Sequence, residues 1–353
     1  MQLISHRRKI KWQTITLLLL ITMLGLTTIA ACAIGPISIP FPKTMDILLS
    51  SLGLPSFTSY TDREFLVIAE MRLPRVLAGG LVGAALGVSG GAMQGLFRNP
   101  LVEPGYVGVS SGAALGAVCA LYFGWSRFGS WTLPLSAFLA AIIAVMIILA
   151  IWQRNRYKSI ATLLLLGIGI NALLSAVINM LVASSNNEQE LRSIVFWLQG
   201  GLEARTWDHV QLIALPILAG CVVLFAFGRD LNAMLLGDEQ ATHAGINVNR
   251  MRRMLLILIS LMTGSAVAIS GIIGFVGLVV PHAVRLATGP DHRFLLPASA
   301  LGGAIFLIWA DLASRMLLQP VTLQVGVVCA LVGAPLFIAL IMSSRGGGAL
   351  KQT

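Results

Sequence analysis

Gly271-Ile-Ile-Gly-Phe-Val-Gly-Leu-Val-Val-Pro-His-Ala-Val-Arg285 is the stretch on which the reading of this chain turns. It is apolar enough for a bilayer, yet it carries three glycines, a proline, a histidine and an arginine that a lipid-facing span does not need. Gly271, Gly274 and Gly277 remove side chains and let a neighbouring backbone approach. Pro281 withholds one helical N–H and predicts a break or an end. The stretch reads as a packed, interrupted interior helix, with His282 and Arg285 organising one end of it.

The surrounding composition agrees. Of 353 residues, 57% are hydrophobic and only 11% charged, whereas water-soluble domains carry about 25% charge. A membrane helix needs about 20 apolar residues, and the apolar runs fit ten such helices with short connections. The expected class is an all-α integral membrane protein, one transmembrane domain over residues 1–353. Residues 29–32, Ile-Ala-Ala-Cys, could pass for the end of a signal peptide; a first membrane helix is preferred, because nine further spans work best with an inside start.

The net charge of +10 is informative by position. With the N-terminus inside, 16 of the 24 Lys and Arg residues fall on the inner side, Arg156, Lys158 and Lys351 among them. This asymmetry orients the chain with both termini cytoplasmic. No basic face is interleaved with exposed aromatics, so nucleic acid is not an expected partner. Cys32, Cys119, Cys221 and Cys329 lie singly in apolar runs and read as buried thiols.

A shift of 181 residues lays Arg72, Gly83, Ala85, Ser89, Gly90 and Pro100 on Arg253, Gly264, Ala266, Ser270, Gly271 and Pro281. This predicts an internal repeat, about 72–183 and 253–342. Its copies enter the membrane from opposite sides, a plan that builds a pathway on the pseudo-symmetry axis in many transporters. Gly167, Gly169 and Asn171 place small and polar residues within a span, where they face protein or a cavity. Residues 184–205 read as an outer loop with a short interfacial helix anchored by Trp197 and Trp207, and 229–253 as an inner connection with room for two small helices.

Catalysis has weaker support. Gly87-Val-Ser-Gly-Gly91 and Gly108-Val-Ser-Ser-Gly112 match GxSxG, but that elbow needs a strand-to-helix turn, and here the glycines suit close helix packing. A membrane serine protease using Ser89 or Ser110 with His282 is one alternative; a secondary transporter is another, set back by the shortage of in-span acids. Asp311 is the acid well inside a span and is expected to pair with Arg315 at i,i+4. His282 reads as a hydrogen-bonding or capping group, and His243 and His292 as solvated. No GxxxxGK[ST] loop is present, so ATP-driven work would require a partner subunit.

Several strings together carry a resemblance: MRLPR (71–75), SGGAMQGLFRNPLVEPGYVGVSSGAALGA (89–117), FWLQGGL (196–202), LLGDEQATHAGI (235–246), GIIGFVGLVVPHAVRL (271–286), GPDHRFLLPASALGGA (289–304) and GVVCALVGAPLFIAL (326–340). From about residue 15 to 343 the chain resembles the FecCD-type permeases of iron-chelate and vitamin B12 ABC importers, a family that also serves haem. The resemblance implies a type II ABC importer permease in a bacterial inner membrane, paired with a second permease copy. It implies an extracytoplasmic substrate-binding protein, ATPase subunits that hold ATP and Mg, and a metal-chelate substrate, with no cofactor on this chain. Arg72, Arg75 and Arg315 match outer arginines that meet the binding protein. Gly237, Asp238, Glu239, Ala241 and Gly245 fall in the matching ATPase-coupling segment, and Asn99 and Leu101 match an inner gate. Charge reversal at Arg72 and Arg75 is then expected to weaken docking and leave folding intact.

Overall fold

A computed structural model describes residues 2–51, 53–55, 58–155, 159–185 and 187–346; Arg156, Lys158 and Lys351 of the inner basic set lie outside the described residues. Regular structure among the described residues is helical. The chain opens with α1 (Gln2–Ala33), α2 (Phe41–Ser51) and α3 (Asp62–Phe65), which continues through a π-helical turn, Leu66–Arg72, into α4 (Leu73–Phe97). Then come α5 (Val109–Tyr122), α6 (Thr132–Arg154), α7 (Ile160–Ser184), α8 (Glu188–Leu198) and α9 (Trp207–Ala226). Two small helices, α10 (Gly228–Leu235) and α11 (Asp238–His243), precede α12 (Val248–Ser270), α13 (Val276–Thr288), α14 (His292–Met316) and α15 (Val325–Gly346).

Seven of these helices are long and apolar enough to cross a bilayer, and three shorter apolar ones, Val109–Tyr122, Val276–Thr288 and Val325–Leu340, complete ten apolar segments. The two shortest have a common cause. At 1.5 Å per residue, α5 and α13 are about 20 Å long, less than the roughly 30 Å hydrocarbon core. Each follows an irregular segment: the 3-10 turn Pro104–Val107 before α5, and unwound 271–275 before α13. The interrupted stretch 271–285 therefore becomes helical only from Val276, because Gly271 (φ +65°) and Phe275 (φ +69°) leave helical geometry.

Pro281 lies inside α13 instead of ending it. Its missing N–H frees the carbonyl of Gly277. Gln94 Nε2 of α4 donates to that oxygen at 3.4 Å and to Leu278 O at 3.1 Å, and a Cβ on Gly90 would sit 1.9 Å from the same carbonyl. The proline therefore supplies an acceptor that a glycine on α4 uncovers.

α4 is the hub, packed on α9, α12, α13 and α14. Its glycines set the distances: a Cβ on Gly83 would lie 2.2 Å from Gly303 O, and one on Gly87 2.2 Å from Ser299 O. The first GxSxG segment is thus a helix-packing stripe with Ser89 fully buried in the helix interior. The second begins α5, where Gly112 faces Ala140 and Ala144 of α6. Exposed leucine, isoleucine and methionine side chains line α1, α6, α7, α9 and α15, the pattern of a bundle whose solvent is lipid.

Helices α4 to α7 contain 25, 14, 23 and 25 residues, and α12 to α15 contain 23, 13, 25 and 22. Both series run long, short, long, long. Under the 181-residue shift, however, Ser89 and Gly90 inside α4 meet Ser270 and Gly271 at the end of α12, and Pro100 in a loop meets Pro281 inside a helix.

Candidate functional site

One end of the bundle gathers residues from 36–37, 67–75, 204–206 and 315–322 around a cleft of about 750 Å³. Arg72, Arg75 and Arg315 all line it, with Arg205 as a fourth cation. Their surroundings differ from the expected open mouth. Arg72 and Arg315 are each only 6% exposed. Arg72 Nη1 donates to Cys32 O (2.8 Å) and Ala33 O (3.0 Å), and Nη2 to Ile37 O; Arg315 Nη2 reaches Ala31 O at 3.4 Å. The two guanidiniums satisfy last-turn carbonyls of α1, which have no helical partner. Gly35 leaves room for this, since a Cβ there would lie 2.6 Å from Arg72 Nη2.

Asp311 is the buried counter-charge. It pairs with Arg315 Nε at 3.2 Å, as i,i+4 spacing predicts, and also with Arg75 Nη2 at 2.8 Å. One carboxylate therefore serves two guanidiniums. Because Arg72 is a strut, Arg72→Glu should cut the yield of monodisperse protein several-fold in size-exclusion chromatography, with Arg72→Lys partly retained: a carboxylate would face three carbonyls with no donor. This reverses the expectation that charge reversal there spares folding.

The opposite end carries the expected coupling segment. Gly237 (φ +124°) and Gly245 (φ +85°) bracket α11 in conformations that favour glycine. Ala241 is the buried residue of α11, while Glu239, Gln240, Thr242 and His243 are exposed. The helix stands on the surface, plugged in by one methyl group. Asp238 anchors it: the carboxylate pairs with Arg252 Nη2 at 2.7 Å and with Arg98 Nη2. Burial would push this carboxyl up, but the two guanidiniums outweigh it and hold it below its ordinary range. Arg98 also donates to Met234 O at 2.7 Å, and as the left-handed C-cap of α4 it leads straight into the loop of the expected gate residues.

In that loop Asn99 Oδ1 accepts the Leu101 N–H at 2.9 Å and Leu101 is 44% exposed. Two of the expected pathway residues of α7 pack against the following turn: Asn171 Nδ2 donates to Gly105 O at 3.1 Å, and a Cβ on Gly167 would lie 2.1 Å from Tyr106 O. Gly169 is not brought in; it faces open space. Glu103, which lies within the 89–117 string without an expected role there, ties this turn to the start of α13. Burial pushes its carboxyl up, against the Phe275 backbone N–H that donates to it.

Other expectations shift with burial. Gly271 and Gly277 are close-approach points, against Trp197 O and Leu86 O, whereas a Cβ on Gly274 would meet nothing within 4 Å. His282 is 9% exposed, with neither ring nitrogen hydrogen-bonded among the described residues; Arg285 is half-buried. His292 is not solvated: it is 1% exposed and its Nδ1 meets Asn232 Oδ1 at 2.9 Å. Asn232 also donates to Asp291 Oδ1 at 2.7 Å, and Arg293 holds the Asp291 carboxyl well below the usual range. Trp197 is buried, and Trp207 Nε1 donates to Ala69 O, so both tryptophans join protein to protein.

The chain has counterparts among known proteins. The model of the FecCD transport family matches residues 17–343. The chain belongs to that family. FecCD relatives include the cobalamin import system permease of Halobacterium salinarum, 43% identical over 78% of this chain and 73% of the relative, and the hemin transport system permease of Yersinia pestis, 42% identical over 82% and 86%. Among solved structures, an inward-facing ABC transporter of metal-chelate type shares the architecture with a TM-score of 0.80 at 32% identity, covering 93% of this chain and 98% of that one. This FecCD chain is an integral membrane permease of an ABC transporter.

Proposed function

We propose that the chain forms, with a second permease copy, the membrane pathway of an importer that carries a metal chelate into a bacterial cytoplasm. ATP and Mg are held by separate ATPase subunits beneath α11. A substrate-binding protein delivers the chelate to the arginine cleft, where guanidiniums suit carboxylate docking and steering. Both termini face the cytoplasm, as the basic-residue asymmetry favours, and the long-short-long-long order of α4 to α7 and α12 to α15 supports an inverted repeat.

The observation that carries this reading is the Asp238 link. An exposed two-turn helix is joined through one carboxylate to Arg98, which abuts the gate loop, and to Arg252 on α12. Movement imposed on α11 by an ATPase is thereby delivered to the loop that holds Asn99 and Leu101, the gating step that alternating access requires. The expected cargo is siderophore-bound iron first, then haem or cobalamin, cargoes for which relatives are named. A strain lacking this chain should lose uptake of one of three labelled substrates, ferric siderophore, haem or cobalamin, and regain it on complementation; full uptake of all three would refute the proposal.

A further inference from the structure

Among the described residues, not every arginine of the cleft has a partner for its charge. Arg72 spends its donors on the end of α1, and Arg75 and Arg315 share Asp311. Arg205 forms no ion pair among the described residues. Its Nη1 lies 3.4 Å from His209 Nε2, and its Nε is buried without a hydrogen-bond partner. The neighbouring acid, Glu203, has a buried Oε1 equally without one. A guanidinium half out of water with a free donor is costly unless something completes it.

The backbone holds Arg205 in place. Ala204 has φ +53°, left-handed geometry that is unfavourable for a residue with a side chain. The loop is clamped on both sides: Gly201 N donates to Ser270 O at 2.7 Å, Gly326 N to Gly200 O at 3.1 Å, and Trp207 Nε1 to Ala69 O at 3.1 Å. Such strain, kept by a rigid surround, directs a side chain to a defined position. Burial, with Arg75 nearby, pulls the Arg205 guanidinium down to about 10, so it remains a cation at neutral pH.

Resting on the transport reading above, we propose that Arg205 is a carboxylate-recognition residue of the cleft, which makes the pathway selective for carboxylate-bearing chelates over chelates without ionised groups. Arg205 lines the cleft, and the terminal nitrogens of a planar guanidinium can hold a carboxylate there in a bidentate pair. A volume of about 750 Å³ is within the range of small-molecule sites. The carboxylate has two possible sources, the chelate itself and an acidic side chain of the docking protein.

The test uses full-length permease in nanodiscs, with empty nanodiscs as blank, and two porphyrins: haem, which has two propionates, and haem dimethyl ester, the same macrocycle with both masked. Wild type should retain haem at least tenfold more tightly than the ester. Arg205→Gln should abolish that preference with an unchanged elution profile, Arg205→Lys should keep part of it, and Arg127→Gln at an exposed arginine should keep all of it. In parallel, docking of the binding protein is measured by surface plasmon resonance. A tenfold loss of docking in Arg205→Gln, with porphyrin retention unaffected, assigns the carboxylate to the partner protein and overturns chelate selectivity. Equal retention of acid and ester, retention of neither, or an undiminished preference in Arg205→Gln overturns it also. If ATP-driven uptake persists while Arg205→Gln changes nothing, this inference falls alone and the transport reading stands.

Discussion

Replacing Asp238 by alanine should lower ATP-driven uptake more than tenfold and leave the ATPase subunits hydrolysing ATP without transport. The Asp238 carboxylate is the one acidic side chain joining α11 to both Arg98 and Arg252 among the described residues. Arg252 is almost wholly buried, so removing its partner also strands a charge inside protein, a change that costs about 3–5 kcal/mol where a pair is fully buried and less here, because Asp238 is half-exposed. Two further variants separate the effects. Asp238→Asn keeps an acceptor and should retain folding with reduced coupling; Arg98→Gln leaves the Arg252 pair intact and should lower transport per ATP with little change in stability. Measuring uptake and ATP hydrolysis in the same vesicles decides the matter, and tightly coupled transport by Asp238→Ala would exclude the link.

The pH dependence follows in sign. The folded carboxyl of Asp238 is held below its ordinary value, so its contribution is present above the unfolded value of about 3.9 and disappears as pH falls through the folded one. Coupling through this link should therefore be flat between about pH 5 and 8. A sharp fall in transport per ATP near pH 6 would point to a different titrating group.

The second large effect is structural. Gly83→Val should eliminate most folded permease, because even a Cβ at this site would lie 2.2 Å from Gly303 O and 2.9 Å from Leu307 Cβ, with backbone on one side that cannot give way. Overpacking a core costs about 1–3 kcal/mol when side chains can shift; here α4 and α14 would have to separate along their contact. Gly90→Val should behave alike, being 1.9 Å from Gly277 O at the Cβ position. Gly169→Ala and Gly274→Ala meet nothing within 4 Å and should leave the monodisperse yield unchanged. Equal yields for Gly83→Val and Gly169→Ala in size-exclusion chromatography would show that α4 and α14 do not meet as described.

This contrast marks how far the sequence could be read. The ten apolar segments were legible because hydropathy reports burial in lipid, and α10 and α11 because a polar stretch of their length cannot cross. The shortness of α5 and α13 was not, since residues 271–275 are as apolar as the helices they join and their unwinding rests on φ at Gly271 and Phe275. Glycines at 83, 90, 169 and 274 look alike in sequence, and only the facing backbone distinguishes them. Spacing and resemblance singled out Arg72, Arg75 and Arg315, but not that the carbonyls closing α1 bury two of them, because backbone acceptors leave no trace in residue identity. Arg205 and Glu103 sit in no repeating pattern, and the loops that give them meaning come from distant parts of the chain.

On the proposed function, ATP and not an ion gradient is expected to drive this permease. Proteoliposomes containing the permease pair, its ATPase subunits and its binding protein, given a labelled chelate with no ion gradient, should accumulate it when ATP reaches the ATPase subunits and stop when a non-hydrolysable analogue replaces ATP. Accumulation driven by a proton or sodium gradient in vesicles without the ATPase subunits would contradict the account.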